Sequence, residues 1–204
     1  MGFVFALNFW VLGLSQTGSA SDSAINKQFH VVQPFLLKSV SGEFVGMSTY
    51  PEAQGMIVVF TCNHCPFAKL YPERMNDLHR KFAAQGIPLL AISSTDTVLF
   101  EEDGFAEMQK VAQQQGFVFP YLFDAEQRVV QDFGAQKTPH AFVLARSAKG
   151  WEIVYSGSID DNGADPLSVK HKYVEDAARA VLKHKKVKVA HTSSIGCFIH
   201  IRQN

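Results

Sequence analysis

The sequence predicts an α/β domain with a central mixed β-sheet and helices on both faces. Met56-Ile57-Val58-Val59-Phe60 and Ile87 to Ser93 are short continuous apolar runs, the pattern of strands buried on both sides. Longer segments whose apolar residues recur at helical spacing separate them. The chain then reaches two strand-like runs about a Lys149-Gly150 turn and one amphipathic segment, so βαβ units pass into a hairpin and a final helix.

At 204 residues the chain suits one domain with short extensions. Apolar residues make up 47% and charged residues 19%, with 17 Phe, which is ample for a packed core and carries no disorder signature. Lys plus Arg equals Asp plus Glu at 19 each, so no bulk field draws nucleic acid or an anionic membrane. Three cysteines are too few to staple a scaffold, and the 62/65 spacing points to a site.

In chain order, Gly2 to Leu14 is an apolar run too short for a membrane span, followed by small residues at Gly18-Ser19-Ala20. This predicts a signal peptide over residues 1–20, although no Lys or Arg precedes the run. The alternatives are an uncleaved anchor and an ordinary buried segment of a cytoplasmic protein. Export to the periplasm is expected, with no stable membrane insertion after cleavage. A polar linker over 21–28 leads into a domain over 29–184, and 185–204 is a C-terminal extension. Residues 29 to 50 read as a hairpin turning at Ser39 to Glu43. Met56 to Phe60 is a buried strand ending at Thr61-Cys62. Phe67, Leu70, Tyr71, Leu78 and Phe82 predict a helix directly after the cysteines, kinked at Pro72. Ile87 to Ser93 is a strand, Glu101 to Gln115 a helix closed by Gly116, Phe119 to Phe123 an extended piece and Glu126 to Phe133 a short helix. Ala141 to Ala145 and Trp151 to Tyr155 are strands, and Val169 to His184 is a helix whose solvated end carries Lys185-Lys186-Val187-Lys188.

Cys62-Asn63-His64-Cys65 falls where strand gives way to helix. A helix N-terminus favours an anion and lowers a thiol from about 8.5 toward ~3.5 to 7.5. An exposed Cys62 is therefore expected to attack, and a shielded Cys65, one turn inward, to resolve the mixed disulfide. His64, with Asn63 beside it, is expected to tune the thiolate; alternatively it is a solvent-facing residue. No cofactor is needed beyond the redox-active Cys62-Cys65 disulfide.

Cys62-Asn63-His64-Cys65-Pro66-Phe67, Phe119 to Asp124, Phe133-Gly134-Ala135, Thr138-Pro139-His140 and Gly157 to Asn162 together resemble the thioredoxin-like redoxin family, related to the alkyl hydroperoxide reductase and thiol-specific antioxidant domains. The likeness spans residues 29 to 182. It implies the three-layer thioredoxin-like fold with an N-terminal β extension and thiol-disulfide oxidoreductase activity. The implied partners are disulfide- or dithiol-bearing clients and a thiol electron donor or acceptor. It also implies a cis peptide at Thr138-Pro139, where the Thr138 backbone pairs with an extended substrate. Asp160 and Asp161 are candidates for relaying the proton of the resolving thiol, or else a polar turn.

Thr61 stands where thioredoxins carry an aromatic residue. Gly55 and Val59 stand where peroxiredoxins carry Pro and Thr or Ser, so a thiol peroxidase is the enzymatic alternative and lacks its usual scaffold. A soft-metal carrier, taking copper or zinc on Cys62, Cys65 and one of His64, His140 or Cys197, is the non-enzymatic one. Haem attachment fails because Pro66 follows the second Cys. Cys197 reads as a buried inert thiol, a third redox thiol or a metal ligand. The N-terminal reading predicts that protein from the native host begins near Ser21 on Edman sequencing; an intact Met1 or Gly2 in the cytoplasm would refute it.

Overall fold

The structure is a computed structural model that describes residues 1, 2 and 30–202. The predicted signal segment, apart from its first two residues, and the linker lie outside the described residues. The strands are β1 (Val31–Val32), β2 (Leu36–Ser39), β3 (Phe44–Gly46), β4 (Gly55–Phe60), β5 (Leu89–Ser93), β6 (Tyr121–Phe123), β7 (Lys137–Thr138), β8 (His140–Ser147), β9 (Gly150–Gly157) and β10 (Cys197–Phe198). The α-helices are α1 (Pro72–Phe82), α2 (Phe105–Gln114), α3 (Arg128–Phe133) and α4 (Tyr173–Leu182). Eight strands form one mixed sheet in the order β1-β9-β8-β4-β5-β6-β2-β3, with β4-β5 and β5-β6 parallel and the other pairs antiparallel.

β4 lies between β5 and β8, and all six of its residues are buried, as its unbroken apolar run requires. Because successive side chains point to opposite faces, Ile57 and Val59 join α1, α2 and α4 in one core, while Met56, Val58 and Phe60 join α3 and the N-terminal hairpin in the other. The second core includes three mutually edge-on rings, Phe60, Phe133 and Phe142, with centroids 5.2 to 5.8 Å apart. Gly55 admits no side chain, since a Cβ there would stand 2.7 Å from the Leu144 carbonyl oxygen.

One expectation needs correction. Pro72 does not kink a helix begun at the cysteines; it is the first residue of α1, where its missing N–H has no intrahelical partner to lose. Residues 62 to 71 form a loop and a 3-10 turn at Ala68–Leu70. The C-terminal extension, moreover, is packed onto the domain. The Thr192 N–H donates to the Ser156 carbonyl at 3.0 Å, and its hydroxyl meets Tyr155 Oη at 2.7 Å. A Cβ on Gly157 would stand 2.1 Å from that hydroxyl.

Asp124, buried after β6, ties the sheet to α3. Its carboxylate accepts from Ser94 Oγ at 2.8 Å and from the N–H groups of Arg128 and Val130 at 3.1 and 3.0 Å. Asp124→Ala leaves those donors unpaired and should cost about 2–4 kcal/mol in urea unfolding. A loss below ~1 kcal/mol, the range of a surface substitution, would show the carboxylate to be dispensable.

Candidate active site

The sheet register builds the site. In the antiparallel β4-β8 pair Phe60 stands opposite His140; the two strands leave the sheet side by side, and Cys62 and Thr138 meet. Thr138-Pro139 is a cis peptide. Cys62 Sγ lies 3.1 Å from Thr138 Oγ1, and Cys65 Sγ donates to the Thr138 carbonyl at 3.1 Å. All three cysteines are free thiols.

Cys62 is not the exposed thiol that its position suggested: it is 5% exposed, and Cys65 is wholly buried. The helix argument also falls, because α1 begins at Pro72 and a macrodipole acts only within the first turn. The two sulfurs ionise as one unit. The hydrogen bond between them pulls the Cys65 thiol below the ordinary range and holds the Cys62 thiol above it, with burial opposing the charge on both and the Asp103 carboxylate adding to the hold on Cys62. The expected low pKa at Cys62 is therefore corrected as well.

The residues between the cysteines are fixed by a carboxylate that the motif did not disclose. Asp103, fully buried, accepts from the Asn63 N–H at 2.5 Å and the His64 N–H at 3.2 Å, and bonds His64 Nδ1 through its other oxygen. Asn63 donates to the Glu102 carbonyl at 2.7 Å and accepts from Tyr121 Oη at 3.0 Å. The His64 ring stacks on Phe100 at 4.0 Å. His64 is thus neither free nor solvent-facing. Asp103 lies in Glu101-Glu102-Asp103-Gly104, which in sequence reads only as acidic residues ahead of a helix.

Asp160 and Asp161 each find their own hydrogen-bond partners. Asp160, buried, accepts from Arg74 Nη1 at 2.7 Å, Tyr71 Oη at 3.2 Å and the Asn162 N–H at 3.1 Å, and so locks its loop to the start of α1. Asp161 accepts from the Lys170 N–H at 2.9 Å at the surface. The hydrogen bonds of both carboxylates thus go to groups other than the dithiol. His140 faces Ser156 Oγ at 3.1 Å, and burial holds it at about 4, so it is neutral near pH 7. Because that value lies below the unfolded one, the unfolded chain takes up the proton first. Stability from this group is lost as pH falls from about 6.5 toward 4. One atom each of Cys62, His64 and Asp103 lie within 4.8 Å of one another and could be offered to a metal ion. They are one fewer than the four of a closed zinc site. Cys197 packs against Cys62, Cys65 and Ala68 from β10.

A mixed sheet of this order, with a thiol pair leaving its central strand against a cis Thr-Pro, defines a thioredoxin-like oxidoreductase. The chain belongs to the AhpC/TSA family, whose model matches residues 30–151. It is 31% identical to a hypothetical protein of Sinorhizobium meliloti 1021, whose crystal structure superposes with a TM-score of 0.76 over 84% of this chain and 92% of that one. An uncharacterised conserved protein of Geobacillus kaustophilus is 30% identical, with a TM-score of 0.77 over 85% and 92% of the two chains. Thiol-disulfide oxidoreductase ResA of Halalkalibacterium halodurans is 21% identical over 145 residues, 71% of this chain and 72% of that protein.

The Asp103 geometry generates a prediction. Its charge opposes ionisation of Cys62, so Asp103→Asn should lower the pH midpoint of iodoacetamide alkylation at Cys62. A midpoint unchanged or shifted upward would refute the repulsive role of Asp103.

Proposed function

We propose that the Cys62/Cys65 dithiol exchanges disulfides with protein or small-thiol partners, Cys62 attacking and Cys65 resolving. The observation that carries this is the double anchorage on Thr138, which distinguishes the two sulfurs. The hydroxyl beside Cys62 can donate to a thiolate, whereas the carbonyl beside Cys65 accepts only from an S–H. The resting charge of the coupled pair lies on Cys65; attack by Cys62 requires its proton to pass to Cys65, and a negative charge on Cys62 with the proton on Cys65 then satisfies both contacts. The proton moves between the sulfurs along the bond that couples them.

In the reducing direction the Cys62 thiolate attacks one sulfur of a client disulfide, which breaks and releases one client thiolate. Cys65, giving its proton to that thiolate, attacks Cys62 Sγ. The second client sulfur leaves and takes up from solvent the proton that the pair shed on ionising. The client gains two electrons and two protons, and the protein holds them no longer, as a Cys62-Cys65 disulfide. The reverse sequence oxidises a client dithiol. The only redox group required is the pair of sulfurs. The names of relatives such as ResA support this reading. Against a peroxidase stand Gly55 and Val59, both buried in β4 where neither supplies a hydroxyl. We further infer that the chain works outside the cytoplasm; the Gly2 to Leu14 run with its small residues at 18 to 20 supports this. Among the described residues no helix is long and apolar enough to cross a membrane.

With Cys197→Ser as background, Cys62→Ser should abolish exchange with insulin. Cys65→Ser should accumulate covalent complexes that run as reductant-sensitive bands on a non-reducing gel. Trapping by Cys62→Ser, or like behaviour of the two variants, would reverse or remove the assigned roles.

A further inference from the structure

The C-terminal strand lies where an extended client would lie. β10 pairs antiparallel with β7, Cys197 opposite Thr138 and Phe198 opposite Lys137, and the Ile199 N–H donates to the Gln136 carbonyl at 2.9 Å. β7 has no other strand partner among the described residues, so the tail fills the open edge beside the dithiol. The fit is close: a Cβ on Gly196 would stand 1.9 Å from the Thr138 carbonyl oxygen. The strand is also anchored at both ends. Before it, Ser158 Oγ donates to the Ser193 carbonyl at 2.8 Å; after it, Gln127 Nε2 donates to the His200 carbonyl at 2.7 Å and Gln127 Oε1 accepts from the Arg202 N–H at 2.8 Å. A segment held in this way delivers its side chains to fixed places. The one it delivers to the dithiol is a thiol, half-buried against Cys62, Cys65 and Ala68 and within hydrogen-bonding reach of the Cys65 sulfur.

We propose that the C-terminal strand is a tethered client, and that the disulfide first made between Cys62 and Cys65 is passed on to Cys65 and Cys197. The proposal rests on the exchange reading above. In the step, the Cys197 thiolate attacks Cys65 Sγ of the Cys62-Cys65 disulfide. The bond between Cys62 and Cys65 breaks, the bond between Cys65 and Cys197 forms, and Cys62 leaves as a thiolate that takes up the proton shed by Cys197. The number of disulfides is unchanged, so no further oxidant is consumed; the oxidising equivalent is the one taken from the client.

The tether makes the step favourable. A thiol on a short docked segment acts at an effective concentration of roughly millimolar or above, and strand pairing fixes its register. In the reduced protein burial and the neighbouring Cys65 hold the Cys197 thiol up at about 11. Once Cys65 is in a disulfide it carries no charge, and its part of that hold is gone. The step frees Cys62 and bolts the tail across the edge, so a new client finds the groove closed until a reductant opens it.

The test treats the reduced full-length protein with one equivalent of oxidised glutathione, alkylates free thiols with iodoacetamide, and maps disulfides by mass spectrometry after digestion without reductant. The expected main product joins Cys65 to Cys197 and carries the alkyl group on Cys62. Gly196→Val keeps all three thiols but cannot seat against Thr138; it should still form Cys62-Cys65 while the Cys65-Cys197 yield falls by about tenfold or more. Ile199→Pro, which removes the N–H donated to Gln136, reads the same loss from the other side of the strand. Wild-type protein that shows only Cys62-Cys65, with Cys197 alkylated, overturns the proposal and leaves the exchange reading standing. Alkylation of all three cysteines overturns both. Equal Cys65-Cys197 yields in wild type and the two variants also overturn it, because the docked strand would then not be what delivers Cys197.

Discussion

Thr138 is the residue on which the site depends. Its hydroxyl meets Cys62, its carbonyl accepts from Cys65, and its backbone pairs with Cys197. The two cysteines of the CxxC and Cys197, distant in sequence, are thereby brought to one position. That position is itself dictated by the sheet. β8 is locked to β4 over six residue pairs, from Gly55 opposite Ala145 to Phe60 opposite His140. The segment entering β8 has no choice but to lie beside the segment leaving β4. The buried apolar run of β4 thus does more than fill the core: by fixing the register it decides which residue faces the first cysteine.

This placement sets an electrostatic problem that the site solves only in part. A thiolate at Cys62, buried beside β4, loses its hydration, and the Asp103 carboxylate repels it. Opposed to these are the Thr138 hydroxyl and the Cys65 N–H, whereas the hydrogen bond between the sulfurs favours the charge on Cys65 at the expense of Cys62. Among the described residues no α-helix begins at the pair. Asp103 nonetheless cannot be spared from the loop, since it pairs two backbone N–H groups that would otherwise be buried without acceptors. The same carboxylate shapes the CxxC and makes its ionisation harder. The result is a coupled dithiol whose negative charge is favoured on Cys65 and opposed on Cys62, and whose reactivity depends on which neighbour donates to each.

Sheet and helices were legible because their signals are local. The apolar runs at Met56 to Phe60 and Ile87 to Ser93 became β4 and β5, and the amphipathic segment before Lys185 became α4 within a few residues of its expected start. The cysteine pair and the Thr138-Pro139 step were legible as motifs. What failed were relations between distant residues. Pro72 is equally compatible with a kink and with a first turn, and only the loop ahead of it decides. Asp160 looked chemical because it lies in a run of acidic residues near a strand end, yet its distance from Cys65 depends on where Arg74 and Tyr71 stand. Asp103, 38 positions after Cys65 in a plainly acidic stretch, carried no mark of its role. Cys197 fell outside every periodic segment, and its place follows from a two-residue strand too short to leave a pattern.

The docked tail bears on how a buried dithiol meets a client at all. Strand pairing at β7 consists of a few backbone hydrogen bonds, each worth about 1 kcal/mol net. A client segment that pairs with the same edge replaces those bonds one for one. The exchange of tail for client therefore costs little in hydrogen bonding, provided the client is extended at its disulfide. Discrimination then falls to side chains. Phe67, two residues after Cys65, and Phe198, beside Cys197, are both exposed, and Lys137 lies over the Phe198 ring at 5.1 Å. A client that carries an apolar side chain next to its cysteine can take the place of Phe198 against Lys137, whereas one that carries a Lys or Arg there meets a like charge. If the tail is a tethered client as proposed, its sequence Gly196-Cys197-Phe198-Ile199 would describe the clients that compete with it: small before the cysteine, aromatic and then aliphatic after it.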